Sequence, residues 1–114
     1  MPTDTQNLTT SLGHQVIAFK NDHVGDKIAK NGLYEKENLE LLLQLLNRIS
    51  SPVIMDIGAN IGNHALAFST VANRVLAFEP LPVVFNLLEK NISNNNIDNI
   101  QAFPFALSDV EEEA

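Results

Sequence analysis

Cysteine is absent from the 114-residue chain. That absence excludes disulfides, thiolate metal sites and a cysteine nucleophile. Positive charge is scarce: 7 Lys and Arg stand against 14 Asp and Glu, for a net charge of -7. A domain that tracks a phosphate backbone carries the opposite excess, so no nucleic-acid partner is expected. Apolar runs are a few residues long, far short of the roughly 18 that a membrane span needs. The opening stretch MPTDTQNLTTSLGHQ has neither a basic nor an apolar leader region, so a cytoplasmic address without membrane contact is expected. His14, His23 and His64 share no metal-ligand spacing, and no metal is expected. The N-x-S/T patterns at Asn7 and Asn91 carry no meaning without secretion. Hydrophobic residues make up 45% of the chain and charged residues 18%, which is enough apolar material for a core. The length limits it to one small domain or part of a larger one.

Residues 1–20 read as a loose N-terminal segment, polar and rich in Thr, Asn and Gln, with 14–20 (HQVIAFK) able to form a short strand. Residues 21–26 read as turns. Residues 37–49 read as a helix, because Leu39, Leu42, Leu43, Leu46 and Ile49 recur at spacings of three and four, with Leu41 and Leu45 widening the stripe. Asn38 is its expected cap, Pro52 ends it, and the whole stripe is expected to pack against a sheet.

From Pro52 the rhythm alternates between short apolar runs and helical periods. Strands are expected at 53–57, 74–78 and 100–107, and helices at 63–71 and 82–94. Strand–helix–strand–helix–strand with short connections describes a parallel sheet with right-handed crossovers. Pro104 inside the third strand agrees with an edge position, where that strand falls in the doubly wound order. Residues 21–114 thus read as one partial domain.

The informative segment is V-I-M-D-I-G-A-N-I-G-N-H, from Val53 to His64. An apolar strand runs through Asp56 into a turn bracketed by Gly58 and Gly62, then into a helix. Glycines let the backbone turn tightly and let a ligand lie against it, and a helix N-terminus presents unpaired amides. Glu79 follows the second strand, 21 positions after Gly58. An acid about 20 residues beyond the first glycine accepts hydrogen bonds from ribose hydroxyls in dinucleotide-type sites. A nicotinamide site would prefer a glycine where Asn60 stands, and Asp56 would oppose a pyrophosphate. S-adenosyl-L-methionine, with an ammonium, a sulfonium and a single carboxylate, suits the acids better.

Taken together, D-I-G-A-N-I-G-N-H, A-F-E-P and A-L-S-D resemble the N-terminal half of the FkbM-family S-adenosylmethionine-dependent methyltransferases. The resemblance runs from about Asn21 to Asp109 and includes the lead-in NDHVGDKIAKNGLYE. It implies an α/β, Rossmann-like class I methyltransferase fold, truncated here to a βαβαβ half with parallel strands and an N-terminal helix. It also implies O-methylation of a hydroxyl on a sugar or natural product, a small-molecule acceptor. Carried over by position, Asp56, Gly58, Asn60 and Gly62 form the cofactor turn, Glu79 matches the ribose-binding acid, and Asp109 falls where an adenine contact is made. Tyr34 and Glu35 match the lead-in without an assigned role. The family's acceptor-binding half is missing, so catalytic residues are unknown and turnover by this chain alone is not expected. Two alternatives stand beside this reading. One is a non-catalytic cofactor-binding half-domain, or a fragment completed by a partner, with self-association through the open sheet edge. The other is a nucleotide-dependent oxidoreductase, against which Asp56 and Asn60 weigh.

Overall fold

The computed structural model describes residues 4–107. At its centre is a three-stranded parallel sheet in the order β3-β4-β5, formed by Val53–Ile57, Arg74–Phe78 and Ile100–Phe103. Register runs Val53 opposite Arg74 and Ile57 opposite Phe78, then Val75 opposite Ile100 and Phe78 opposite Phe103. The crossovers are α3 (Asn63–Phe68) and α4 (Pro82–Asn94), the latter with proline in its first turn, where a missing N–H costs nothing. The expected α/β architecture is therefore present, with β5 at an edge. That strand ends at Phe103, before Pro104, and α3 ends at Phe68, before the expected Val71.

All the helices over this sheet lie on one face. Val75 and Ala77 of β4 pack with Ala65 and Phe68 of α3, Phe85 and Leu88 of α4, and Leu39. Leu39 belongs to α2 (Lys36–Leu46). A second cluster lies beyond that helical layer, where Leu66, Val84 and Leu87 meet Val16, Ala18, Phe19 and Ile28.

Those outer partners correct the expected N-terminus. Residues 1–20 are not loose throughout: Thr5–Thr9 (β1) and Gln15–Phe19 (β2) form an antiparallel hairpin, separate from the main sheet. Its inward residues Val16 and Ala18 are buried, while β1 is an outer strand with no residue fully covered, which is why TQNLT can be so polar. The stretch expected as turns begins a helix, α1 (His23–Asn31). Asp22 caps it by accepting from Val24 N at 3.2 Å, and Gly32, at φ 88°, ends it in left-handed geometry. Gly25 disguised this helix, and its presence has a packing reason. A β-carbon there would lie 3.1 Å from both Ala18 Cβ and Phe19 O, so glycine lets α1 sit against β2 without either neighbour giving way.

The helix expected at 37–49 is α2, but its cap is Glu35, not Asn38, and it ends at Leu46, well before Pro52. The leucine stripe is also only partly core. Leu39 is buried and Leu43 and Leu46 are partly covered, whereas Leu41, Leu42, Leu45 and Ile49 are exposed. No helix among the described residues is long and apolar enough to cross a membrane.

Candidate functional site

The glycine turn sits at the carboxyl ends of β3 and β4. Gly58 N and Ala59 N both donate to Phe78 O at 2.9 Å, which fastens the turn to the neighbouring strand. Gly58 has φ 74° and open space where a β-carbon would stand, so a ligand can approach its backbone. Gly62 has φ 106° and faces inward, where a β-carbon would meet Leu88 Cδ1 at 3.0 Å. One glycine therefore serves access and the other close helix packing. Asn60 is itself left-handed (φ 55°), a conformation asparagine tolerates, and its Oδ1 accepts from Ile61 N at 2.8 Å.

Glu79 is 5% exposed, although it is a carboxylate in a loop. Its Oε1 accepts from Asn60 N at 2.8 Å and its Oε2 from Leu81 N at 3.0 Å. The acid thus braces the turn. Each oxygen keeps a further lone pair, so the carboxylate can accept from a ligand hydroxyl as well.

Asp56 is the electrostatic anomaly. It is half-buried, and its Oδ2 has no hydrogen-bond partner. Burial pushes its carboxyl above the usual value, with the His64 imidazole opposing that rise and the Glu79 carboxylate adding to it. Asp56 and His64 line a cavity of about 470 Å³ together with Glu35, Asn38 and Phe68. No lysine or arginine lines it. A desolvated, unpartnered acid beside a second acid suits a ligand with positive charge or hydroxyl donors.

Sequence reasoning assigned no role to Tyr34, Glu35 or Asn63, and found no metal-ligand spacing for His64. The structure brings all four together. Asn63, buried at the first position of α3, clamps the Tyr34 backbone: its Oδ1 accepts from Tyr34 N at 3.0 Å and its Nδ2 donates to Tyr34 O at 2.9 Å. This holds Glu35 in left-handed geometry at φ 53°, an unfavourable place for glutamate, with its Oε1 3.2 Å from His64 Nε2. The signal lay in the two polar residues directly after Gly62. Asp109 lies outside the described residues, as does the acidic run 111–113.

No protein-family model matches the chain. It is 32% identical over 85 residues to methyltransferase sdnD of Sordaria araneosa, covering 72% of this chain and 33% of that protein. It is 44% identical over 57 residues to the hexuronic acid methyltransferase AglP of Haloferax volcanii, covering 50% of this chain and 23% of that one. Among solved structures, the SAM-dependent methyltransferase from Agrobacterium tumefaciens superposes with a TM-score of 0.68 at 12% identity, covering 91% of this chain and 33% of the other. The chain spans a third or less of the length of the curated relatives it matches. Its fold is that of the Rossmann-like methyltransferases, and its sequence is methyltransferase-like.

Proposed function

We propose that the chain is the cofactor-binding part of an S-adenosylmethionine-dependent methyltransferase that O-methylates a hydroxyl of a sugar or natural product, as the FkbM family does. The observation that carries this reading is the pairing of Glu79 with the open turn at Gly58, with the unpartnered Asp56 beside it. The donor set fits the cofactor. Glu79 offers carboxylate acceptors to the ribose hydroxyls, Gly58 leaves room for the adenosine to lie on the backbone, and Asp56 suits the positively charged methionine end. A diphosphate would meet no lysine or arginine in the cavity that Asp56 lines. S-adenosylmethionine supplies an activated methyl group, and what the protein adds is alignment of the acceptor oxygen with it, a matter of positioning. The similarity to sdnD and AglP supports the reaction class, and the hexuronic acid in the second name supports a sugar acceptor. A second reading, a cofactor-binding domain whose sheet another chain completes, is supported by the outer edge of β3, which no strand among the described residues pairs with.

Calorimetric titration tests the reading. S-adenosylhomocysteine and S-adenosylmethionine are expected to bind and NAD not to. Glu79→Gln keeps the size of the side chain and removes its charge. A hydrogen bond to a charged group is worth about 1.5–3 kcal/mol, so this variant should bind S-adenosylhomocysteine roughly ten- to a hundred-fold more weakly. NAD binding more tightly than S-adenosylhomocysteine would overturn the methyltransferase reading.

A further inference from the structure

We propose that the cavity between α1 and the start of α2 seats an anionic group, a carboxylate or a phosphate, of the small molecule that is methylated. The proposal rests on the methyltransferase reading above. The cavity measures about 700 Å³, within the range of roughly 300–1,000 Å³ typical of small-molecule sites. Three of the chain's 7 basic residues line it: Lys27, Lys30 and Lys36. Lys27 and Lys30 stand three apart on one side of α1. On a chain of net charge -7, such a concentration of ammonium groups at one hollow is the reverse of what chance placement on an acidic surface gives.

Lys27, Lys30 and Lys36 form no ion pair among the described residues. Among the described residues the one ion pair within 4.0 Å is His64 with Glu35. Glu35 and Glu37 share the cavity wall, so the three ammonium groups stand against two carboxylates, one of which lies 3.2 Å from His64 Nε2. Tyr34 and His23 complete a polar rim. An incoming anion relieves the mutual repulsion of the lysines and gains charge-assisted hydrogen bonds. A cluster of three cations on an acidic protein is too small to follow a nucleic-acid backbone, which favours a compact ligand.

Position ties this seat to the candidate cofactor site. Glu35 and Asn38 line both this cavity and the one that holds Asp56 and His64. The two hollows share a wall, so a molecule anchored among the lysines lies next to the place where the methyl donor is proposed to bind.

The test uses the full chain saturated with S-adenosylhomocysteine, followed by amide chemical shifts during titration with D-glucuronate, inorganic phosphate, D-glucose and a short single-stranded RNA. Glucuronate and phosphate should shift the amides around Lys27, Lys30 and Lys36 saturably, and their relative affinities show which anion the seat prefers. Glucose should bind at least about ten-fold more weakly, the loss of one charge-assisted contact. Lys27→Gln/Lys30→Gln, which preserves helix propensity, should lower glucuronate and phosphate affinity by about ten-fold or more while leaving S-adenosylhomocysteine affinity unchanged. Equal responses to glucose and glucuronate, tighter binding of RNA, or a variant that binds like the parent would overturn the anion seat. Loss of S-adenosylhomocysteine binding in the lysine variant would assign the cations to the cofactor instead and overturn it too. Failure of the parent to bind S-adenosylhomocysteine at all would remove the methyltransferase reading, and with it the identification of the anion as part of an acceptor.

Discussion

Asp56 shows how a single residue can trade stability for binding. In the folded chain its carboxyl titrates above its ordinary value of 3.8, first because burial strips water from it. A carboxyl whose folded pKa is raised contributes stability that is complete below the unfolded value and is lost as pH rises through the folded one. At neutral pH the ionised side chain is therefore a liability, with one oxygen buried and unpartnered. Asp56→Asn should melt at a higher temperature than the parent where the parent carboxyl is ionised, and the advantage should fade as pH falls through its raised folded pKa and the parent carboxyl takes up a proton. The same variant should bind S-adenosylhomocysteine more weakly. Thermal denaturation across that pH range, paired with calorimetry, checks both halves. A stability difference that ignores pH would show that the charge is not what burdens the fold.

Asn91 plays a comparable part between elements. It is fully buried on α4, where its Oδ1 accepts from Ile17 N at 2.7 Å and its Nδ2 donates to Ile17 O at 3.1 Å and to Ile61 O at 2.8 Å. One side chain thus imitates a neighbouring strand for β2 and also ties down the glycine turn. One turn of helix later Asn95 repeats the imitation on Gln15, in a more exposed setting. Asn91→Ala leaves three backbone groups without partners at about 1–3 kcal/mol each, so a loss of about 3 kcal/mol or more is expected, a large share of a small domain's stability. Asn95→Ala should cost under about 1 kcal/mol, because water replaces the amide there. Urea denaturation measures both, and amide exchange at Ile17 shows whether the hairpin detaches first. Similar losses for the two variants would mean that burial of the network matters little. This joint also marks where the sequence was hard to read. The elements β3, α3, β4 and α4 were legible because apolar runs, two glycines and Pro82 punctuate them, and Glu79 reaches the turn after β3 through Asn60 N. The strand β2 was legible at 14–20, but its partner β1 and the helix α1 were not, since TQNLT covers little surface and Gly25 interrupts a helix that buries little beyond Ile28. Asn91 stood out only as part of an N-x-S/T pattern, and no local pattern announces an amide that serves a strand 74 residues away. The periodicity of α2 predicted its helix but could not say that Leu41, Leu42 and Leu45 would find nothing to cover them.

Among the described residues the sheet is layered on one side only. Every helix packed on the sheet covers the face presented by Ile54, Val75 and Ala77, and the hairpin lies outside those helices. On the opposite face Val53, Met55 and Ile57 of β3 are 59%, 53% and 64% exposed, although parallel strands are normally buried on both faces. Among the described residues nothing pairs with the outer side of β3, so its amides and carbonyls stand open beside those apolar side chains. The segment 14–20 does not cover that edge, because β2 pairs with β1. Natural edge strands carry a lysine, a proline or a bulge to deter pairing, and V-I-M-D-I has none of these, only Asp56 turned toward the other face. Exposed apolar surface of this kind drives association, and the net charge of -7 opposes it only through longer-range repulsion that salt screens. The chain is therefore expected to self-associate through β3, more strongly as salt is added. Met55→Lys places a charge at the centre of the bare face without touching the buried one, and should shift sedimentation equilibrium toward the monomer. In the parent, amides of β3 should exchange more slowly as concentration rises. A parent that stays monomeric at high concentration and high salt, with exchange along β3 independent of concentration, would show that the edge repels its own copies and that its affinity, if any, is for a different strand.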